Sequence, residues 1–236
     1  MTPQIPTRAP ERPRRERHWI RWTLIGIATL VVVTLVTAAL AVKLQPTPAP
    51  LTLPASAAAP VGPLDGTWQV SPESVAGFRV EQTVLGLTSD VVGRTEGVTG
   101  SVVIAHGRVT EADLRIDLRA LTSDDKKPAP QFGVSLETGR FPDATVGLAR
   151  PVSLNDRLAF GAATTVSATG RLTLHGVTRE VTTRLSARRD ATDLRIAGSI
   201  PVAFADWGIA RPVGVPFFGD LADHGVAEFL LVLRHG

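Results

Sequence analysis

Residues Gly170 to Val181, Gly-Arg-Leu-Thr-Leu-His-Gly-Val-Thr-Arg-Glu-Val, constrain the fold more than any other stretch of this 236-residue chain. Leu172 and Leu174 alternate with polar neighbours, His175-Gly176 breaks the run, and Val181, Thr183 and Leu185 resume it. A period of two puts successive side chains on opposite faces, one apolar and one wet, and His-Gly supplies the reversal. The stretch predicts two antiparallel strands joined by a tight turn.

The same pattern extends from Leu64 to the end of the chain. Ala112, Leu114, Ile116 and Leu118 alternate with Asp113, Arg115, Asp117 and Arg119, which gives the wet face alternating charge. Leu194, Ile196, Gly198, Ile200, Val202 and Phe204 repeat it, Val102 and Ile104 form a shorter version, and Phe229 to Leu233 suits a buried last strand. Turn signals intervene at His106-Gly107, Asn155-Asp156, His175-Gly176 and Arg189-Asp190. Only Asp124 to Thr138 resists a strand reading. Many evenly spaced strands predict an all-β antiparallel barrel or sandwich, and periodicity does not choose between them. A closed eight-stranded barrel would remove free edges and leave room for one small ligand.

Charge is placed unevenly. Residues 1–63 hold seven basic and two acidic side chains, whereas the remainder holds 18 basic and 20 acidic. The basic excess behind the net charge of +3 therefore sits in the tail, and a nucleic-acid-binding face is not expected on the folded part. The absence of cysteine excludes a disulfide scaffold, a thiolate metal site and a cysteine nucleophile.

From Trp22 to Val42 no residue is charged, and those 21 positions match the roughly 20 needed to cross a bilayer as a helix. Six arginines precede the run and Lys43 alone follows it closely, an orientation signal that places the N-terminus in the cytoplasm. A cleaved secretory signal is the rival reading, with Ala39-Leu40-Ala41 as the cleavage motif, but signal cores run only about 7–15 residues. Residues 45–63 carry six prolines and favour an extended tether able to hold a domain a few tens of ångströms from the membrane. The expected organisation is a basic cytoplasmic tail at 1–21, a single transmembrane helix at 22–42, a Pro/Ala-rich linker at 43–63 and an extracytoplasmic β domain at 64–236.

Several short motifs stand in a fixed order along that last domain. Gly66-Thr67-Trp68-Gln69-Val70 leads into Ser71-Pro72-Glu73-Ser74 and Phe78, followed by Gly93-Arg94, Val98-Thr99-Gly100 and Leu121-Thr122-Ser123-Asp124. Phe141-Pro142-Asp143-Ala144-Thr145, the hairpin Leu172-Thr173-Leu174-His175-Gly176-Val177-Thr178 and Asp206-Trp207-Gly208-Ile209 complete the set. Together they resemble the YceI-like family over residues 64–236. The resemblance implies an antiparallel eight-stranded lipocalin-like barrel with a short helix near residues 124–138, holding a long isoprenoid chain along its axis. Glu73-Ser74 and Gln82 stand where the family usually has histidines, so contacts to a ligand head group depart from its pattern.

No convergent catalytic set accompanies the barrel. The histidines His18, His106, His175, His224 and His235 are not spaced as helix-borne metal ligands, and four of them adjoin glycine. His175 reads as a turn residue making local hydrogen bonds. Asp124-Asp125 and the pair Asp220 and Asp223 lack calcium-loop spacing, and no Gly-x-Ser-x-Gly elbow occurs. We therefore expect no catalytic residues, no metal and no cofactor, and the resemblance implies a polyisoprenoid or quinone as bound ligand. The expected cavity candidates are Phe78, Val80, Leu114, Ile116, Phe141, Leu172, Leu174, Ile196, Phe204, Trp207 and Phe217, each equally suited to filling a solid core. Expected partners are the apolar lipid and the membrane through residues 22–42, and a homodimer is compatible with the sequence. A solid-core scaffold or interaction module of the envelope is the competing reading.

Overall fold

The computed structural model describes residues 26–27, 29–34, 36–37, 48–55, 58–84, 86–123, 130–210 and 220–236. The chain forms two compact units, Met1–Gln45 and Pro46–Gly236. In the first unit the described residues between 26 and 37 are helical, and the Thr34 and Thr37 hydroxyls donate to the carbonyls of Leu30 and Val33 at 2.8 Å each. No described helix is long and apolar enough to cross a membrane, and much of the span expected at 22–42 lies outside the described residues.

The second unit is built from strands. In chain order these are β1 (Gly66–Val70), β2 (Val75–Val84), β3 (Leu87–Thr95), β4 (Val98–Ala105), β5 (Arg108–Asp117) and β6 (Thr122–Ser123). There follow β7 (Asp143–Leu148), β8 (Val152–Ser153), β9 (Thr164–Leu174), β10 (Val177–Asp190), β11 (Asp193–Ala203), β12 (Asp220–Leu221) and β13 (His224–His235). Antiparallel pairing runs β1-β4-β5-β7-β9-β10-β11-β13-β2-β3, and a further β1–β13 pairing closes the ring. β1 leads into β2, and β3 into β4, as two bent staves, so the closed barrel has eight staves.

The first bend is made by serines. β13 pairs with β1 from Leu233 onward and with β2 up to Leu230, which leaves the backbone of Val232 without a strand partner there. Ser74 fills the gap: its buried hydroxyl accepts from the Val232 amide at 2.9 Å and donates to the Val232 carbonyl at 3.1 Å. The Ser71 amide donates to the same carbonyl at 2.8 Å. Buried backbone groups require such partners, so a bend here needs short hydroxyl side chains.

Both His-Gly pairs form two-residue reversals. His106 and Gly107 lie at φ 53° and 68°, and His175 and Gly176 at 52° and 75°. Two positive φ values in succession match the right-handed twist of flanking strands. A Cβ on Gly176 would stand 2.6 Å from the Phe141 ring, so glycine is required there twice over. The turn expected at Arg189-Asp190 lies instead beyond it, at Ala191 and Thr192, because β10 continues through Asp190. Arg189 is only 3% exposed, and its guanidinium donates to the carbonyls of Val61, Gly62 and Pro63 at 2.8 to 3.2 Å. These distant acceptors make the inside of the fold habitable for a residue that reads as surface. Asn155 opens a 3-10 helix, Asp156–Phe160, with its side chain accepting from the Arg157 amide. Within the stretch that resists a strand reading, Pro130–Ser135 is helical, and proline fits a first helical turn.

One end of the barrel is sealed. Trp68, Ile104, Leu158, Leu194 and Leu233 pack there into one buried cluster, with Trp68 donating from its indole to the Leu64 carbonyl at 2.9 Å. The Pro/Ala-rich stretch lies along the outside. Val61 donates to the Ala191 carbonyl at 2.8 Å, Leu51 to the Glu228 carboxylate at 3.3 Å, and the carbonyls of Ala49 and Pro48 accept from Arg94 and Arg79 at 2.5 and 2.7 Å. Residues 48–51 thus cover the Arg79–Glu228–Arg94 ion cluster on the outer wall, where Glu228 is 4% exposed.

Candidate functional site

Above the sealed end the barrel is hollow. A cavity of about 290 Å³ runs between the staves and is lined almost wholly by carbon. Its size approaches the lower bound of small-molecule pockets, about 300 Å³. The room comes from small inward residues: Ala76, Ala112, Ala144, Ala168, Gly170 and Ala227 all lie on the lining. An eight-stranded barrel is just wide enough for side chains to fill, so alanine and glycine at inward positions leave space that leucine would close. The polar side chains on the lining belong to Thr95, Ser135, Thr183 and Glu228. Glu228 directs its carboxylate to Arg79 and Arg94, on the face of these strands opposite Phe78, Ala227 and Phe229. Among the described residues the lumen therefore offers an apolar chain a wall without fixed charge.

Of the residues anticipated at the wall, Phe78, Val80, Leu114, Ile116, Leu172, Leu174, Ile196 and Phe204 line the cavity. Phe141 and Trp207 do not. The Phe141 ring stacks on His175 with centroids 4.5 Å apart, filling the space above Gly176. Trp207 is buried in a cluster with Leu172, Ile200, Val202 and Ile209, beneath the Arg179 guanidinium at 5.9 Å. Both aromatics buttress the rim rather than the lumen. Phe217 lies outside the described residues. Val91, Val102, Val146, Val181, Leu185 and Phe229 also line the cavity, and the alternation in their strands was the signal for them. The small residues carried a second signal, since alanine or glycine at an inward position marks a void.

His175 serves the rim. Its Nδ1 lies 3.2 Å from the Trp207 carbonyl oxygen and its Nε2 lies 3.6 Å from a Glu137 carboxylate oxygen. It is a turn residue tied to its neighbours. Asp223 pairs with the adjacent His224 at 2.9 Å in an exposed position, and Asp124 and Asp125 lie outside the described residues. Among the described residues no three His, Asp or Glu side chains gather as a metal site would require. Electrostatic perturbation concentrates away from the lumen: Arg119 hydrogen-bonds Asp117 and holds its carboxyl below the usual range, and burial lowers the Arg189 pKa.

Residues 68–226 match the YceI-like domain. The chain belongs to the YceI-like family. Among solved structures, this YceI-like barrel resembles a polyisoprenoid-binding domain from Saccharophagus degradans implicated in plant cell wall breakdown. The two share 20% identity at a TM-score of 0.57, over 72% of this chain and 99% of that one. It also resembles BcnA of Burkholderia cenocepacia, with 18% identity and a TM-score of 0.53, over 69% of this chain and 98% of that one. At these identities the likeness speaks for the fold. No curated protein sequence matches the YceI-like chain.

Proposed function

We propose that this protein is a membrane-tethered, extracytoplasmic carrier that sequesters an isoprenoid or quinone-like chain in the barrel lumen, and that it is not an enzyme. The observation that carries the proposal is the hollow, carbon-lined cavity made by inward alanines and glycines. A solid-core scaffold would have no use for that space. The polyisoprenoid-binding relative from Saccharophagus degradans supports the ligand class. Binding would draw on apolar area at about 25 cal/mol per Å², less the costs of immobilising a flexible chain. With no fixed charge in the lumen, recognition rests on girth and length. The tether follows from the uncharged run 22–42, and the outward placement of the barrel from the six arginines before that run.

The test is lipid extraction and mass spectrometry of the detergent-purified full chain. We expect one polyprenyl or prenylquinone molecule per barrel. A barrel that is empty as purified and takes up no polyprenyl chain at saturating concentration would rule the carrier out.

A further inference from the structure

We propose that the open rim of the barrel rests on the bilayer surface, led by Val134, with the sealed end pointing away. This inference builds on the membrane-anchored reading above and adds which end of the barrel meets lipid. Exposure alone does not choose. Val134, beside the cavity-lining Ser135 and Leu136, is 79% exposed at the open end, and Phe160, on the 3-10 helix at the sealed end, is 81% exposed.

The route of the chain does choose. Val61 is bonded to Ala191 at the sealed end, Leu51 to Glu228 halfway up the wall, and Pro48 to Arg79 higher still. Arg79 stands three residues short of Gln82, which pairs with β12 at the open end. Followed toward its beginning, the chain climbs the outer wall from the sealed end to the open one. Only residues 43–47 then separate this strap from the end of the apolar run at Val42. Five residues reach at most about 17 Å.

Thirteen residues of the bent β1–β2 stave separate Gly66, at the sealed end, from Arg79. The turn at Ser71–Ser74 takes up two of them, so the stave covers about 36 Å, or roughly 28 Å along the axis at a typical tilt near 40°. If the sealed end lay on the membrane, Pro48 would stand about 28 Å above it, more than the roughly 17 Å that residues 43–47 can span. With the open rim down, the same five residues suffice. The end of the lumen away from the packed Trp68 cluster then lies nearest the bilayer.

The absence of cysteine makes the test direct. The full chain carrying Val134→Cys or Phe160→Cys would be labelled with an environment-sensitive fluorophore. It would then be reconstituted into phosphatidylcholine–phosphatidylglycerol vesicles with and without a lipid spin-labelled near the headgroup. We expect at least threefold stronger quenching, and a blue-shifted emission, at position 134. Equal quenching at both positions, or stronger quenching at 160, overturns the proposed orientation. A chain that fails to float with the vesicles overturns the anchor and the orientation together. Lipid content of the same samples reads the carrier proposal separately: an empty barrel with a quenched position 134 would sink the carrier and keep the orientation.

Discussion

The sealed end and the hollow level of this barrel are made by the same staves, yet they use their inward positions in opposite ways. At the sealed end Trp68, Ile104, Leu158, Leu194 and Leu233 are at most 2% exposed and fill one another's gaps. One level up, Ala112, Ala144, Ala168, Gly170 and Ala227 lie on the lining and leave the space between the staves unfilled. Close packing is where a barrel gains stability, and a void is where it forgoes dispersion contacts to keep room for a guest. Apolar composition is similar at the two levels, and side-chain volume is what separates them.

That contrast can be broken most forcefully at the sealed end. Trp68→Ala should destabilise the protein by about 3–5 kcal/mol through lost burial and a residual cavity, read as a lower urea midpoint at unchanged slope. A loss below about 1 kcal/mol would mean that the sealed end is not the source of stability. A smaller loss is expected on the outer wall beside the lumen. Glu228→Gln removes the carboxylate that Arg79, Arg94 and the Leu51 amide share, and should cost about 2 kcal/mol while exposing residues 48–54 to protease. If lipid is released as well, the lumen depends on its outer strap. Filling the lumen itself should hardly touch stability: Ala168→Phe should shift the midpoint by less than about 1 kcal/mol yet abolish lipid retention in native mass spectra. Unchanged retention would show that the guest lies elsewhere.

The smallest effect concerns acid. The Asp117 carboxyl is held below its ordinary 3.8, first by the Arg119 side-chain hydrogen bonds, so its ionised form is favoured in the fold. Its stabilising contribution is complete above that value and is lost as pH falls through the lower folded-state pKa. Asp117→Asn should therefore flatten the acid limb of the stability profile below about pH 4 and leave lipid occupancy unchanged. An acid limb as steep as that of the unsubstituted protein would assign the acid sensitivity to another carboxylate.

Much of the barrel was legible because alternation reports faces directly. β5, β9 and β11 lie where Leu114, Leu172 and Ile196 predicted them, and both His-Gly turns fall in register. Features that depend on distant partners were not legible. Arg189 reads as a turn residue until the carbonyls of residues 61–63 arrive, and the burial of Glu228, next to the apolar run Phe229 to Leu233, depends on the distant Leu51 and two arginines. The bends after Val70 and Thr95 depend on where β13 and β5 run out of partners, which no local pattern encodes. At the site, attention to large apolar residues drew in Phe141 and Trp207, whose packing serves the rim. The residues that make the cavity are the small ones, and smallness is silent in a hydrophobicity pattern.

If the lumen carries a lipid as proposed, walls of methyl and methylene groups would act as a gauge for chain length. On that reading guests would be distinguished by how far they extend toward the packed end that holds Trp68 and Leu158. Each inward exchange between alanine and valine would narrow the bore by about two carbons' worth of space, at roughly 0.8 kcal/mol per methylene of guest affinity. Relatives built on the same staves could thus be graduated for different guests by single substitutions, with no change to the fold.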